Sequence, residues 1–227
     1  RTPVDWLWRH SLGQPFDYFH GPLPIARSHR NSSQVKVHFA KSWENFDELF
    51  EEIKGRIKKT DLSVPYKLDD YYYYTRFEEE KEYPIFCRKM KSLNAEQQVI
   101  LDANILAKGH EYFAVGEMVI SFEQNILAYA CDTQGRRIYI IQFKDLDTGE
   151  LLSDVISDVT GNMAWANDNC TLFYAKQDPI TLRSYQIYRH ILGQDSCCDS
   201  LVYEEEDETF NAIVFKTKSK QYLMISS

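Results

Sequence analysis

Positive charge and long apolar runs are scarce in this sequence of 227 residues. It has 26 Lys and Arg residues against 34 Asp and Glu residues, which gives a formal net charge of −8. Proteins that bind a phosphate backbone need clustered positive charge, so this balance argues against nucleic acid as a partner. A membrane-spanning helix needs a run of about 18 apolar residues, and the sequence has none. We therefore expect neither a nucleic-acid nor a membrane partner.

Cysteine motifs for zinc binding or for a disulfide framework are also missing. The five cysteines include the adjacent pair Cys197 and Cys198, and none are spaced as Cys-x-x-Cys. An odd count in a chain of this length indicates reduced thiols, which are typical of a cytoplasmic protein. The adjacent pair leaves a redox switch open, although free cysteines usually serve as small apolar groups. We expect no metal and no cofactor.

Residues 1–42 differ in composition from the rest of the chain. They have six Lys or Arg residues and two Asp residues, a net charge of +4, whereas residues 43–227 have a net charge of −12. Four of the seven prolines lie here, without apolar periodicity, so we predict an irregular segment. Four of the six histidines also lie here, too far apart to share a helical turn and bind a metal ion. They are His10, His20, His29 and His38.

Residues 43–59, WENFDELFEEIKGRIKK, predict a single amphipathic helix. Large apolar side chains recur at steps of three and four residues, which places them on one face. They are Trp43, Phe46, Leu49, Phe50, Ile53 and Ile57. Ser42 is a suitable N-cap, and Lys58 and Lys59 stand in the last turn, where the helix dipole favours basic groups. The apolar face indicates a helix that packs on another surface.

Short strands replace the helical pattern from Val64 onward. The segments YYYYTR (71–76) and YPIFCRK (83–89) flank the charged connection FEEEKE, as in a β-hairpin. Successive side chains of a strand point to opposite faces, so four consecutive tyrosines predict a strand that is covered on both faces. Tyrosine suits such a place because its ring packs while its hydroxyl reaches a hydrogen-bond partner. Glu78, Glu79 and Glu80 form either an acidic substrate-binding patch or an ordinary solvated hairpin tip.

A four-strand pattern then repeats with a period in the middle forties. Leu127–Tyr129 matches Leu172–Tyr174, and Ile138–Ile140 matches Tyr185–Ile187. A third copy places Gln221–Leu223 at the position of Leu172–Tyr174. Four strands per unit at this period are typical of β-propeller blades, although a meander or sandwich with even strand spacing is the alternative. The pattern predicts a mainly β protein.

Long segments resemble oligopeptidase B, a serine peptidase of the prolyl oligopeptidase family. They include LFEEIKGRIKKTDLSVPYKLDDYYYYTRFEEEKEYPIFCRK and NMAWANDNCTLFYAKQDPITLRSYQIYRHILG, and the resemblance covers roughly residues 44–227. It implies a seven-bladed propeller that caps an α/β-hydrolase domain of the same chain. It also implies cleavage of short peptides after Arg or Lys, with the propeller excluding folded proteins. About three and a half four-stranded blades are then expected here, after the helix.

Two features depart from that family. The family's Tyr-x-Trp-Leu-Arg-Asp motif is only loosely matched by VDWLWRHS (4–11), and residues 12–40 do not match. The sequence also has no Gly-x-Ser-x-Gly, the tight turn that presents the nucleophile of an α/β-hydrolase. The resemblance places the Ser, Asp and His of the triad beyond residue 227. No catalytic residue is therefore assigned, the substrate-binding residues are unknown, and both ends of the sequence resemble those of a fragment.

Together these features predict three regions: an irregular segment (1–42), a helix that packs on an absent α/β-hydrolase domain (43–62), and an incomplete propeller (63–227). The expected function is that of the propeller piece of a serine-type oligopeptidase, inactive by itself. A propeller that binds without catalysis and a non-functional gene remnant remain as alternatives. Acidic groups such as Glu78 or Asp147 are candidates for attracting basic peptides through long-range charge.

Overall fold

The structure is a computed structural model that describes residues 46–58 and 60–227. The described residues divide into two units, one with residues 46–58, 60–61 and 77–82, the other with residues 62–76 and 83–227. The predictions for residues 1–42, for the N-cap Ser42 and for Trp43 and Lys59 lie outside the described residues.

The first unit contains helix α1, Phe46–Arg56. Asp47 and Glu48 occupy its first turn and Lys54 and Arg56 its last, so the charges follow the helix dipole. The helix ends three residues before the predicted boundary, because Ile57 donates its N–H to the Lys54 carbonyl, three residues back, in a tightened last turn. The described part of its apolar face is exposed, at Phe46, Leu49, Ile53 and Ile57. No helix among the described residues is long and apolar enough to cross a bilayer.

The second unit begins with a four-stranded antiparallel sheet. Its strands are β1 (Tyr66–Leu68), β2 (Tyr71–Arg76), β3 (Ile85–Met90) and β4 (Gln97–Asp102), paired in sequence order. A short helix, α2 (Ala103–Leu106), follows β4, with the Asp102 side chain as its N-cap.

The tyrosine run forms β2, as predicted. Tyr73 and Tyr74 are buried and belong to separate apolar clusters, which agrees with a strand covered on both faces. The Tyr73 hydroxyl donates to Gln124 Oε1 at 2.6 Å, and the Tyr74 hydroxyl donates to Gln97 Oε1 at 2.7 Å. Each ring therefore contributes apolar packing while its hydroxyl remains hydrogen-bonded.

A seven-stranded antiparallel sheet follows, and one long strand divides it into two blades. Its strands are β5 (Ala114–Ile120), β6 (Ile126–Asp132), β7 (Tyr139–Asp145), β8 (Leu151–Trp165), β9 (Thr171–Gln177), β10 (Ser184–Ile191) and β11 (Ser200–Glu204). The first part of β8 pairs with β7 as far as Val159, and the last part pairs with β9 through Met163–Trp165. Strand β8 is thus the outer strand of one blade and the inner strand of the next.

The hairpin β12 (Ile213–Lys216) and β13 (Leu223–Ser226) adds the first two strands of a fourth blade. A short 3₁₀ helix, Ser196–Cys198, precedes β11. Three four-stranded blades and half of a fourth confirm the prediction of an incomplete propeller of about three and a half blades after one helix.

The apolar cores lie between neighbouring blades. Alternate residues of β6 enter different cores: Leu127 and Tyr129 pack in the cluster that includes Tyr73, whereas Ala128 and Ala130 pack in the cluster around Phe143 and Trp165. A third cluster joins the third blade to β12. Because both faces of an inner blade are covered, β6 is apolar at nearly every position instead of alternating.

Strand pairing corrects two of the predicted repeat alignments. Tyr129 pairs with Gln142 and Tyr174 pairs with Tyr188, so Ile187 is the equivalent of Ile141, one residue later than predicted. Leu223 pairs with Lys216 as Leu172 pairs with Trp165, so the third copy begins at Leu223, two residues later than predicted. The first alignment, Leu127–Tyr129 with Leu172–Tyr174, is confirmed.

The first hairpin loop of each later blade has the same form. Gln124, Asn169 and Lys220 occupy the same loop position with φ of 66°, 61° and 60°.

In the third blade, Asp168 closes this loop by accepting hydrogen bonds from the Thr171 N–H at 2.9 Å and hydroxyl at 2.6 Å and from the Cys170 N–H at 3.1 Å. Partial burial is the largest influence and raises the pKa of Asp168, but the hydrogen bonds together outweigh it and lower the pKa to about 2.

Candidate functional site

A cavity of about 520 Å³ is lined by residues of the four inner strands, which are β1, β5, the last part of β8, and β12. Its wall is mostly apolar and includes five aromatic rings: Tyr66, Tyr73, Phe122, Trp165 and Phe215. One acidic side chain, Glu117, lines the cavity among the described residues.

Hydrogen bonds between a side chain and the backbone join successive inner strands along this cavity. The Met163 N–H donates to Glu117 Oε2 at 3.2 Å, which links β5 to β8. The Val214 N–H donates to Asn162 Oδ1 at 2.8 Å, and Asn162 Nδ2 donates to the Val214 carbonyl at 3.0 Å, which links β8 to β12. Trp165 Nε1 also donates to the Val119 carbonyl at 3.1 Å. The cavity wall is therefore fixed by bonds between blades as well as by the sheets themselves.

Glu117 is an exposed residue of β5, open to the cavity. Partial desolvation by neighbouring atoms still raises its pKa, and the hydrogen bonds from the Met163 N–H and the Asn162 amide oppose this shift without cancelling it.

Three lysines of the fourth blade line the same cavity: Lys216, Lys218 and Lys220. Lys216 Nζ donates to the Ala166 carbonyl at 3.4 Å and lies 5.7 Å from the centroid of the Phe122 ring. Burial, the largest cause, and the charge of Lys220 lower the pKa of Lys216, while Asp168 opposes them. Lys220 forms an ion pair with Asp69.

The first hairpin loops of the four blades meet at one mouth of the cavity. Gln124 Nε2 donates to Asp69 Oδ2 at 2.9 Å, and the Glu123 N–H donates to Asn169 Oδ1 at 2.9 Å. Asn167 Nδ2 donates to the Lys220 carbonyl at 2.9 Å. A second, outer cavity of about 690 Å³ lies over these loops. Both acidic and basic groups therefore surround this mouth, including Asp69 and Glu123 beside Lys220.

Comparison with known proteins identifies the family to which this architecture belongs. The model of the prolyl oligopeptidase N-terminal β-propeller domain matches residues 31–227, starting thirteen residues before the resemblance found in the sequence. The chain belongs to the prolyl oligopeptidase family. The match covers its propeller domain, with the blades described above.

Two curated relatives of the prolyl oligopeptidase family are similar to this chain. Dipeptidyl aminopeptidase BI of Pseudoxanthomonas mexicana is 40% identical over 195 residues, which cover 79% of this chain and 27% of the relative. Protease 2 of Moraxella lacunata is 33% identical over 191 residues, which cover 81% of this chain and 28% of the relative. The chain thus spans about a quarter of the length of these relatives.

Two solved structures of the same family also match. Oligopeptidase B from Leishmania major superposes with a TM-score of 0.75 at 30% identity, over 82% of this chain and 27% of that one. Oligopeptidase B from Trypanosoma brucei, described with covalently bound antipain, superposes with a TM-score of 0.72 at 25% identity. The superposition covers 86% of this chain and 30% of that one. The fold and the family predicted from the sequence are confirmed.

Of the acidic residues proposed from the sequence, three belong to the first unit, and Asp147 of the second unit is not among the residues that line the cavity. Glu78, Glu79 and Glu80 belong to the first unit, where Lys81 Nζ lies 2.6 Å from Glu78 Oε2. Asp147 lies in the exposed turn between β7 and β8, where its N–H donates to Asp145 Oδ1 at 2.8 Å. Their role in attracting basic peptides stays a prediction. Sequence reasoning missed Glu117, although the repeat aligns Glu117 with Asn162 and marks both as polar positions in otherwise apolar strands.

The adjacent cysteines are free thiols in the 3₁₀ helix, with their sulfur atoms 3.7 Å apart. Hydrogen bonding to Asp195 is the largest cause that raises the pKa of Cys197 to about 11, and Cys198 adds to it. Because the thiolate is the reactive form, this environment disfavours Cys197 as a redox nucleophile.

Proposed function

We propose that this chain is the propeller part of a serine-type oligopeptidase that cleaves short peptides after Arg or Lys. The observation that carries the proposal is the match to oligopeptidase B from Leishmania major, at 30% identity over 82% of this chain. In this proposal the propeller acts with an α/β-hydrolase domain of the same chain, which supplies the nucleophile and forms the acyl-enzyme. Basic peptides are then the substrates. The unpaired cysteines support a cytoplasmic location.

The shape of the cavity supports a substrate of limited size. A cavity of about 520 Å³ between four inner strands is of the size that binds small molecules. Hydrogen bonds between blades fix this part of the wall, and in a propeller closed by further blades such walls would leave a passage too narrow for a folded protein. A short extended peptide is the substrate class that fits this geometry.

The test is to express the complete reading frame and assay a fluorogenic Arg-amide against the matched citrulline-amide, which has the same shape without the charge. Cleavage of the Arg substrate, its loss on replacing the serine of a downstream Gly-x-Ser-x-Gly, and weak cleavage of the citrulline substrate support the proposal. Equal cleavage of both substrates would contradict the Arg/Lys preference. A frame that ends after further blades would favour a non-enzymatic binding module, and early stops would favour a gene remnant.

The 227-residue chain by itself is predicted to have no peptidase activity, since its sequence lacks the nucleophile turn. Purified chain should leave the Arg-amide intact over a time in which the complete protein consumes it. Cleavage that follows the chain through successive purification steps would contradict this prediction.

A further inference from the structure

Three equivalent positions of the inner strands carry different side chains, and two of them line the cavity. Met118 pairs with Tyr129 and Met163 pairs with Tyr174, so Glu117 and Asn162 are equivalent residues of the second and third blades. The pairing of β12 with β13 places Ile213 at the same position in the fourth blade. Glu117 is the charged member of this set.

The structural task of this position does not require a charge. Asn162 uses both ends of its amide to bond the N–H and the carbonyl of Val214 on the next inner strand. Glu117 makes the corresponding link to the Met163 N–H with one oxygen, Oε2. Its other oxygen, Oε1, has no hydrogen-bond partner among the described residues. A neutral amide already makes the link between blades, so this link does not account for the negative charge of Glu117.

Glu117 is an exposed residue of β5, so solvent reaches its carboxylate from the cavity. Neighbouring atoms still remove part of its hydration and raise its pKa, which disfavours the charged form unless a cation or hydrogen-bond donors compensate it. No Lys or Arg forms an ion pair with Glu117 among the described residues. Lys216 of β12 lies at the level of Ile120, which is three residues, or about 10 Å, beyond the level of Glu117 at the usual rise per residue. The carboxylate therefore faces the cavity without a protein cation in contact.

We propose that Glu117 is the anionic group of a binding site for an organic cation carried by a short peptide, such as an Arg or Lys side chain. The free oxygen accepts hydrogen bonds from the cation, and the apolar wall packs against its methylene groups. The aromatic rings that line the same cavity suit a guanidinium or ammonium group, because such cations are attracted to aromatic faces. The choice of ligand class rests on the proposed function, since short basic peptides are its expected substrates.

The experiment measures binding to the 227-residue chain by isothermal titration calorimetry with three capped or partly capped peptides. Acetyl-Gly-Arg-Gly-amide presents only a side-chain cation, Gly-Gly-Gly-amide presents only an amino-terminal cation, and acetyl-Gly-Gln-Gly-amide presents none. The Arg peptide should bind about tenfold tighter than the Gln peptide, as one charge-assisted hydrogen bond predicts. If the triglycine amide binds tightly instead, and its binding is lost in Glu117→Gln, the cation that the site binds is the peptide amino terminus.

The decisive variant is Glu117→Gln, which keeps an oxygen acceptor for the Met163 N–H and removes the charge. It should abolish the preference for the cationic peptide. The matched control is Glu150→Gln, an equal change of net charge on the exposed turn between β7 and β8, outside the cavity lining. This control should keep the preference. Equal loss in both variants, or full affinity in Glu117→Gln, would overturn the proposal.

A second measurement keeps the test valid if Glu117→Gln fails to fold. The Met163 amide resonance of the unaltered chain should shift on titration with the Arg peptide, because that N–H is bonded to the Glu117 carboxylate. Binding without this shift would place the peptide elsewhere and overturn the proposal. Neither measurement depends on cleavage, so inactivity of the complete protein would refute the peptidase function and leave the binding result unaffected.

Discussion

Replacement of His190 by leucine should strongly destabilise the second unit. The imidazole is fully buried between two carboxylates, with Nδ1 2.8 Å from Asp199 Oδ1 and Nε2 3.2 Å from Asp154 Oδ1. Each ring nitrogen therefore lies at hydrogen-bonding distance from a carboxylate oxygen. Asp154 lies on the part of β8 that belongs to the second blade, whereas His190 and Asp199 belong to the third. The cluster thus joins two blades.

The magnitude follows from the two carboxylates that the change leaves behind. The Tyr174 hydroxyl donates to Asp199 at 2.9 Å, and the Gly193 N–H donates to Asp154, but these bonds do not neutralise the charges. Leaving a buried carboxylate without its partner costs about 3–5 kcal/mol. For a chain of this size, each kcal/mol lowers Tm by about 2–4 °C, so His190→Leu should lower Tm by about 6–20 °C.

The assay is urea and thermal unfolding followed by circular dichroism. His110→Leu is the control, because His110 is exposed and its loss should change the free energy of unfolding by less than about 0.5 kcal/mol. Asp199→Asn in the His190→Leu background should cost less than in the unaltered chain, since it removes one stranded charge. A His190→Leu protein within about 1 kcal/mol of the unaltered chain would refute the view that His190 stabilises the two buried carboxylates.

Three further predictions concern single positions. Gly116→Ala should lower the free energy of unfolding by about 1–3 kcal/mol, because the added Cβ would lie 2.8 Å from the Tyr139 ring. Gly55→Ala on α1 should raise it by up to about 1 kcal/mol, because the added Cβ meets no described atom within 4 Å. Urea unfolding measures both changes. Asp168→Asn should lower the free energy of unfolding at pH 7. The difference in this free energy from the unaltered chain should shrink as pH falls from about 4 to about 2, since stabilisation by a carboxylate of depressed pKa is lost on protonation. A difference that stays constant in unfolding curves at these pH values would contradict this prediction. Cys197, with a pKa of about 11, should react with iodoacetamide at pH 8 more slowly than the cysteine of an unstructured peptide, because less of it is thiolate. Mass spectrometry measures the two rates of alkylation. Equal rates would refute the effect of its environment.

Local patterns predicted the elements of the chain well. The tyrosine run and the segment around Phe86 became β2 and β3, because the alternation of a strand is a property of neighbouring residues. The end of α1 was predicted three residues too late, because Lys58 and Lys59 look suitable for a last turn although the hydrogen bond at Ile57 already closes the helix. Helix ends depend on such single bonds and are poorly encoded by periodicity.

Repeat alignment succeeded for the first hairpin of the second and third blades and failed at two other places. Leu127 and Leu172 were matched correctly, but Leu223 was missed by two residues although the loop before it has the same length. Ile141 and Ile187 were misaligned by one residue, and a shift of one residue exchanges the two faces of a strand. Only the backbone hydrogen bonds across the sheet decide such a register.

The sequence by itself determined the mainly β class, the blade repeat, the helix before it and the family, because these depend on local alternation and on long similar segments. The tertiary structure alone decided which polar groups meet. Glu117 and Met163 are 46 residues apart, and His190 and Asp154 are 36 apart, yet each pair is in contact. Such pairs form only when blades pack side by side, and no local pattern encodes the distance between two blades.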